Sequence, residues 1–271
     1  MLETLSTMLS YHFMQRALIV GVLVSLCSAL LGVSLVLKRY SMIGDGLSHV
    51  GFGSLAIATA MGLSPMSVTI PVVIVAAFLL LRLSTHGKLK GDAAIAMIST
   101  GALAIGVIVL SLSTGMTSDV NNYLFGSVLA MNAADVKLSI VLALIVLILF
   151  IIFYRQIFSV TFDETFARAT GSHAEACNML LALLTAVTIV LGMRVMGAML
   201  ISSLVIFPAL TAMRICKSFR SVTICAAVVS VCCFFIGLCI SYLLSTPAGA
   251  SVVVVNIIAF IFFAAIGKLR R

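Results

Sequence analysis

Tryptophan is absent from this 271-residue sequence, proline occurs four times, and only eight residues are acidic. Charged residues make up 9% of the chain, whereas soluble globular domains carry about 25%. Hydrophobic residues make up 63%, and the mean hydropathy is +1.31. The shortage of charge excludes a soluble globular domain. The composition predicts an all-α polytopic membrane protein whose interfacial aromatic residues are Tyr and Phe.

The motifs of common enzyme classes are also missing. The chain has no GxxxxGK[ST] loop for nucleotide phosphates, no HExxH, no GxSxG and no CxxC pair. Its seven cysteines lie mostly in apolar runs and are interpreted as small buried residues. We therefore expect no enzymatic activity and no tightly bound cofactor. The net charge of +8 indicates basic residues at the cytoplasmic face of a lipid membrane, not a nucleic-acid partner.

Hydropathy predicts eight or nine transmembrane helices, since a spanning helix needs about 20 apolar residues. The apolar segments cover residues 16–37, 42–63, 66–83, 93–112, 136–154, 177–193, 195–213, 222–244 and 250–267. A further apolar segment, 123–131, is too short to span and is typical of a half-helix beside a cavity. We expect a break near Arg194, where one apolar segment gives way to the next.

The lysines and arginines predict the topology, because cytoplasmic loops are enriched in them. If the Lys38 end of the first span is cytoplasmic, all of the 16 basic residues except Arg16, Lys137 and Arg194 fall on the cytoplasmic side. The C-terminus and residues 155–176 are then cytoplasmic. Residues 1–15 are interpreted as an interfacial lead-in, and residues 1–271 together as a single transmembrane domain.

Asp45 and His49 form the most unusual feature of the apolar segments. Their i, i+4 spacing places them one turn apart on one face of a helix, and ionisable residues inside a membrane usually have a function. One interpretation is a divalent-metal site on a transport path, with a homodimer supplying two of each ligand. The other is that Asp45 caps its helix while His49 is a hydrogen-bonded packing residue.

The cytoplasmic segment contains a second candidate site. Thr161 or Asp163 can cap a short helix that Gly171 ends, with Phe162 and Phe166 forming an apolar knob. One interpretation is an interfacial helix lying on lipid headgroups. The other is a docking helix for a partner protein, which the acidic start of the helix favours.

Four stretches together carry a resemblance to a known family. They are 35–49 (LVLKRYSMIGDGLSH), 162–171 (FDETFARATG), 196–209 (MGAMLISSLVIFPA) and 246–250 (TPAGA). In these stretches the chain resembles the permease subunits of bacterial ABC importers for manganese, zinc or iron, the metal-ion ABC-3 family. Gly46 and Ala248 depart from the commonest family pattern, each as one small residue for another.

The resemblance implies a type II ABC importer-like permease in the bacterial plasma membrane. It implies a homodimer, an extracellular metal-binding lipoprotein and cytoplasmic ABC ATPase subunits that hydrolyse the ATP. It also places Asp45 and His49 on the path of the transported Zn, Mn or Fe. The residues that it assigns to ATPase coupling are Phe162, Asp163, Glu164, Phe166, Ala167 and Gly171. The alternatives are a permease for a siderophore or cobalamin and, from a different class, a proton-coupled secondary metal transporter.

Overall fold

The computed structural model describes residues 10–86, 91–113, 124–126, 133–198 and 201–269. The regular elements in these ranges are helices, which confirms the all-α prediction. They are α1 (His12–Leu37), α2 (Ser41–Ala60), α3 (Pro65–His86), α4 (Gly91–Ser113), α5 (Ala133–Ile152), α6 (Tyr154–Phe162), α7 (Glu164–Ala169), α8 (Ala174–Met196), α9 (Ile201–Ile215), α10 (Phe219–Leu244) and α11 (Ala248–Leu269).

Seven of the described helices are long and apolar enough to cross a membrane: α1, α3, α4, α5, α8, α10 and α11. The sequence predicted eight or nine spans, and helices α2 and α9 account for the difference. Helix α9 is apolar but has only 15 residues. Helix α2 has 20 residues, but its Asp, His, Ser and Gly residues lower its hydropathy.

Helix α2 lies inside the bundle and packs against α3, α4, α8 and α9. Fourteen of its 20 residues are buried. Glycine permits the close approach to α4, because a Cβ added at Gly53 would lie 2.6 Å from the carbonyl oxygen of Ala102. Protein therefore surrounds most of a helix that is too polar to face lipid along its length.

The connection from α1 to α2 is only three residues long and is fully hydrogen-bonded. The N–H of Arg39 donates to Val36 O at 3.1 Å, and the N–H of Tyr40 donates to Leu35 O at 2.8 Å. This pair of bonds is a Schellman motif, with Arg39 in the left-handed conformation at φ 61°. The connection holds the cytoplasmic ends of the two helices together without slack.

The predicted break near Arg194 is confirmed to within three residues: α8 continues to Met196, and Gly197 is its C-cap, with φ 87°. Arg194 stays helical in the last turn, where its guanidinium pairs with Asp135 at 2.7 Å and complements the helix dipole. A Cβ at Gly197 would lie 2.3 Å from Leu124 O. Of the predicted half-helix 123–131, only 124–126 belong to the described residues.

Candidate metal pathway site

Asp45 and His49 lie one turn apart on α2, as their spacing predicted. His49 Nε2 is 3.7 Å from Asp45 Oδ2. Two ligands at about 2.1 Å from one tetrahedral ion are about 3.4 Å apart. A small side-chain rotation would therefore let both groups bind the same divalent ion.

The capping interpretation of Asp45 is wrong. The N-cap of α2 is Tyr40 and the first turn holds no acidic residue, so Asp45 lies beyond the reach of the free N–H groups. Its carboxylate instead accepts a hydrogen bond from Ser202 Oγ at 3.4 Å. Ser202 is at the start of α9, so this contact joins two helices that are far apart in the sequence.

The packing interpretation of His49 also disagrees with the geometry, since it requires a hydrogen-bonded ring. His49 is only 9% exposed, yet Nδ1 is buried with no hydrogen-bond partner in the described part of the chain. The separation between Nε2 and Asp45 Oδ2 exceeds hydrogen-bond length. A buried imidazole nitrogen without a hydrogen-bond partner is costly, and imidazole is the commonest metal ligand in proteins.

The Asp45 carboxylate opens out of the bundle. Every residue from Ile43 to Ala56 is buried except Asp45, whose side chain is 38% exposed. At about 1.5 Å per residue, it lies about 6 Å beyond the start of α2. A carboxylate facing lipid at this depth would cost several kcal/mol, so the geometry favours a water-filled path or a second subunit on that side.

The described residues of one chain do not complete a metal site. They hold no group of three or more His, Cys, Asp and Glu side chains that could bind a metal. An ion at Asp45 and His49 would have two protein ligands from this chain, whereas structural Zn²⁺ sites use four. Two ligands are consistent with a transient site, which must bind weakly enough to release its ion.

The segment 155–176, which the sequence predicts to be cytoplasmic, contains two short helices, α6 and α7. Asp163 caps α7 by accepting the N–H of Phe166 at 2.8 Å, whereas Thr161 lies within α6 and donates to Ile157 O. Glu164 occupies the first turn of α7, and Gly171 follows the helix with φ 84°. Of the two predicted caps, the structure therefore selects Asp163.

Phe162 and Phe166, which the sequence predicts to form one apolar knob, lie in different helices, Phe162 at the end of α6 and Phe166 in α7. Phe162 is 60% exposed and Phe166 is 62% exposed, while Ala167 on the same segment is fully buried. The rings of Phe162 and Phe158 lie 5.0 Å apart. The segment thus presents two large aromatic side chains while Ala167 packs into the rest of the protein.

Sequence reasoning missed two partners of Glu164, Lys38 and Asn178. Lys38 was used only for topology, although its side chain is 7% exposed and its Nζ lies 3.4 Å from Glu164 Oε2. Asn178 donates to Glu164 Oε2 at 3.1 Å and accepts a hydrogen bond from Lys38. The available signal was a polar amide near the start of an apolar segment, close in sequence to the predicted coupling helix.

The surroundings of Lys38 and Glu164 affect the two charged groups differently. Burial lowers the pKa of Lys38 below its ordinary 10.5, against the opposing charge of Glu164. Burial acts to raise the pKa of Glu164, but the Asn178 hydrogen bond and the Lys38 charge outweigh it and hold that pKa below 4.5. The carboxylate is therefore well satisfied, while the buried ammonium is costly.

The comparisons with known proteins extend along nearly the whole chain. A family model described as the ABC 3 transport family matches residues 10–267. The chain is 31% identical to the high-affinity zinc uptake system membrane protein ZnuB of Haemophilus influenzae, over 96% of this chain and 99% of that protein. It is 30% identical to the manganese transport system membrane protein MntC of Listeria monocytogenes, over 96% and 92%. The solved structure of PsaBC from Streptococcus pneumoniae in complex with Fab has a TM-score of 0.88 at 27% identity and covers 99% of both chains.

Proposed function

Because the chain belongs to the ABC 3 transport family, we propose that it is the membrane-spanning permease subunit of an ATP-driven importer of divalent metal ions. Relatives named for zinc and manganese transport support this substrate class. The observation that carries the proposal is the Asp45–His49 pair on a helix otherwise enclosed by protein. The transported ion is Zn²⁺ or Mn²⁺, with Fe²⁺ as a further candidate, since a carboxylate and an imidazole suit all three.

The pair acts as a transient binding site on the path. Asp45 supplies a charged oxygen and His49 a neutral nitrogen, and these replace part of the hydration shell of the ion. Two copies of the chain would bring two such pairs together, which supports a homodimer with the path between its subunits. The Asp45 side chain supports this arrangement, because it is 38% exposed in the single chain and so remains accessible to a second subunit.

The remaining partners are inferred from a missing sequence motif and from exposed aromatic side chains. It has no phosphate-binding loop, so ATP hydrolysis belongs to cytoplasmic ABC ATPase subunits. The exposed rings of Phe162 and Phe166 suit an apolar groove on such a subunit. An extracellular metal-binding lipoprotein delivers the ion to the opposite face, and residues 155–176 act as the coupling segment of a single permease domain.

The test is metal uptake in bacterial cells that lack their own high-affinity importers. The cells express this chain with its ATPase and binding protein, and radiolabelled Zn²⁺ and Mn²⁺ are supplied separately. We expect Asp45→Asn and His49→Gln each to lower uptake at least about tenfold, because losing even a supporting group of a metal site typically costs 10–100-fold. Depleting ATP should abolish wild-type uptake.

Ser54→Ala is the matched control, because Ser54 lies on the same helix and its hydroxyl bonds only Gly51 O in its own helix. Its uptake should equal that of wild type at equal membrane abundance. Normal uptake by both Asp45→Asn and His49→Gln would refute the metal-site proposal. Uptake driven by a proton gradient without ATP would identify a secondary transporter. Uptake only of an iron chelate would identify a siderophore-type permease.

A further inference from the structure

The cytoplasmic ends of three helices meet at a small polar cluster formed by Lys38, Glu164 and Asn178. Lys38 is the C-cap of α1, Glu164 lies in the first turn of α7, and Asn178 lies in the first turns of α8. Lys38 Nζ contacts both of the other side chains, and Asn178 Nδ2 donates to Glu164 Oε2. Each member therefore bonds the other two.

Stability alone does not explain this cluster. The Lys38 side chain is 7% exposed while that of Glu164 is 33% exposed, so the cation bears most of the desolvation. Replacing a buried ion pair with apolar groups is often neutral or stabilising, and an apolar residue would suit the end of an apolar helix. A charged residue at this position is better explained by a task that requires α1 to follow α7.

The connection beyond Lys38 can carry such a movement. Only Arg39 and Tyr40 separate Lys38 from α2, and the Schellman motif bonds both back onto α1. The N–H of Ile43 donates in turn to Tyr40 O at 3.0 Å. Because these hydrogen bonds restrain the backbone of the connection, a displacement of Lys38 reaches the first turn of α2, directly before Asp45.

There is also room for the cluster to move. A cavity of about 1020 Å³ adjoins it, lined on one side by Glu164 and Asn178 and on the other by Phe78 and Arg82 of α3. Tyr40 also lines this cavity. The α7 carboxylate can therefore shift relative to α3 without displacing packed side chains.

We propose that Lys38 is a positioning residue that transmits movement of the coupling helix α7 to the α2 helix carrying Asp45 and His49. The proposal rests on the proposed function, since it assumes that an ATPase moves α7. Glu164 receives the displacement, Lys38 passes it to the end of α1, and residues 38–40 pass it to α2. Helix α2 then has two positions, and ATP binding controls which of them it occupies.

The test uses the complete complex of permease, ATPase and binding protein in proteoliposomes. Two quantities are measured: the rate of ATP hydrolysis and the number of metal ions transported per ATP hydrolysed. We expect Lys38→Met to retain ATP hydrolysis within about twofold, and we expect both Lys38→Met and Glu164→Gln to lower the ions per ATP about tenfold or more. Arg168→Gln is the matched control, since Arg168 bonds the other carboxylate oxygen of Glu164 and is 53% exposed. Its ratio should stay near that of wild type.

The triple variant Lys38→Met/Glu164→Met/Asn178→Leu separates transmission from a purely structural role. Asn178 is included because its buried amide bonds both Lys38 and Glu164 and would lose both partners. Replacing the whole cluster by apolar residues leaves no unpaired polar group, so the complex should assemble at wild-type abundance even where Lys38→Met does not. If the cluster only holds the helices together, the triple variant also recovers the ions transported per ATP, and the proposal is wrong. If Lys38 transmits movement, assembly recovers while that ratio stays low.

The two proposals fail in different ways. A wild-type complex that hydrolyses ATP but moves neither Zn²⁺, Mn²⁺ nor Fe²⁺ would overturn the proposed function. If the wild-type complex transports metal and the assembled Lys38→Met and Glu164→Gln variants transport as many ions per ATP as wild type, only the proposed role of Lys38 is overturned.

Discussion

The ion pair between Asp135 and Arg194 permits a quantitative test of the fold. It joins the first turn of α5 to the last turn of α8, with Asp135 Oδ2 and an Arg194 terminal nitrogen 2.7 Å apart. The Arg194 side chain is 10% exposed and that of Asp135 is 16% exposed. Asp135→Ala would leave the guanidinium buried without its carboxylate. We expect a large loss of stability.

The magnitude follows from three contributions. At an effective dielectric constant of 20, charges 2.7 Å apart attract by about 6 kcal/mol, and the desolvation of both groups offsets part of this. Breaking a buried pair by removing one partner typically costs about 3–5 kcal/mol. The C-terminal dipole of α8 still favours Arg194 by about 0.3–1 kcal/mol. The expected cost of Asp135→Ala is therefore near the lower limit, about 3 kcal/mol.

The assay is unfolding of the purified chain in mixed micelles by increasing SDS, followed by circular dichroism. Glu175→Ala is the control, because Glu175 is also paired with an arginine, at 3.7 Å from Arg168, but is 76% exposed. Its cost should be below about 0.5 kcal/mol. The double variant Asp135→Ala/Arg194→Leu should cost less than the sum of the single changes. A loss below about 1 kcal/mol for Asp135→Ala, or strict additivity, would refute the reasoning.

Two further predictions concern packing and pH. Gly32→Ala should destabilise the chain by about 1–3 kcal/mol, because the new Cβ would lie 2.0 Å from the backbone oxygen of Val205; Gly101→Ala, with no atom within 4 Å, should be neutral or stabilising in the same SDS titration. The lowered pKa of Glu164 contributes stability above its unfolded value of about 4.5, and this contribution is lost as the pH falls through the folded value. Thermal unfolding should therefore show a larger loss of stability below pH 4.5 for wild type than for Glu164→Gln; parallel pH profiles would contradict the assignment.

The sequence predicted the parts of the fold that depend on short-range patterns. Apolar runs located the long helices because each run must bury or face lipid along its whole length. The i, i+4 spacing placed Asp45 and His49 on one face because that relation is internal to a helix. Asp163 as the cap of α7 likewise depends on its own neighbours only.

The features of the fold and of the candidate site that the sequence did not predict depend on contacts between segments that are distant in the sequence. Ser202 lies far from Asp45 in the sequence, and no local pattern indicates that its hydroxyl reaches that carboxylate. Lys38 and Glu164 are also far apart in the sequence, although their side chains are in contact. In each case the tertiary partner, which the sequence does not identify, decides the outcome.

The polarity of α2 connects these observations. A helix with Asp45, His49 and several glycines inserts poorly into lipid on its own, so its position depends on neighbouring helices that enclose it. Within the stretch from Ile43 to Ala56, Asp45 is the one residue that these neighbours do not bury. A helix held by its neighbours, more than by its own affinity for lipid, can shift when one neighbour shifts. The cost of keeping Asp45 and His49 inside the membrane is thus offset by contacts with neighbouring helices, and through these contacts, in our proposal, the end of α1 controls their position.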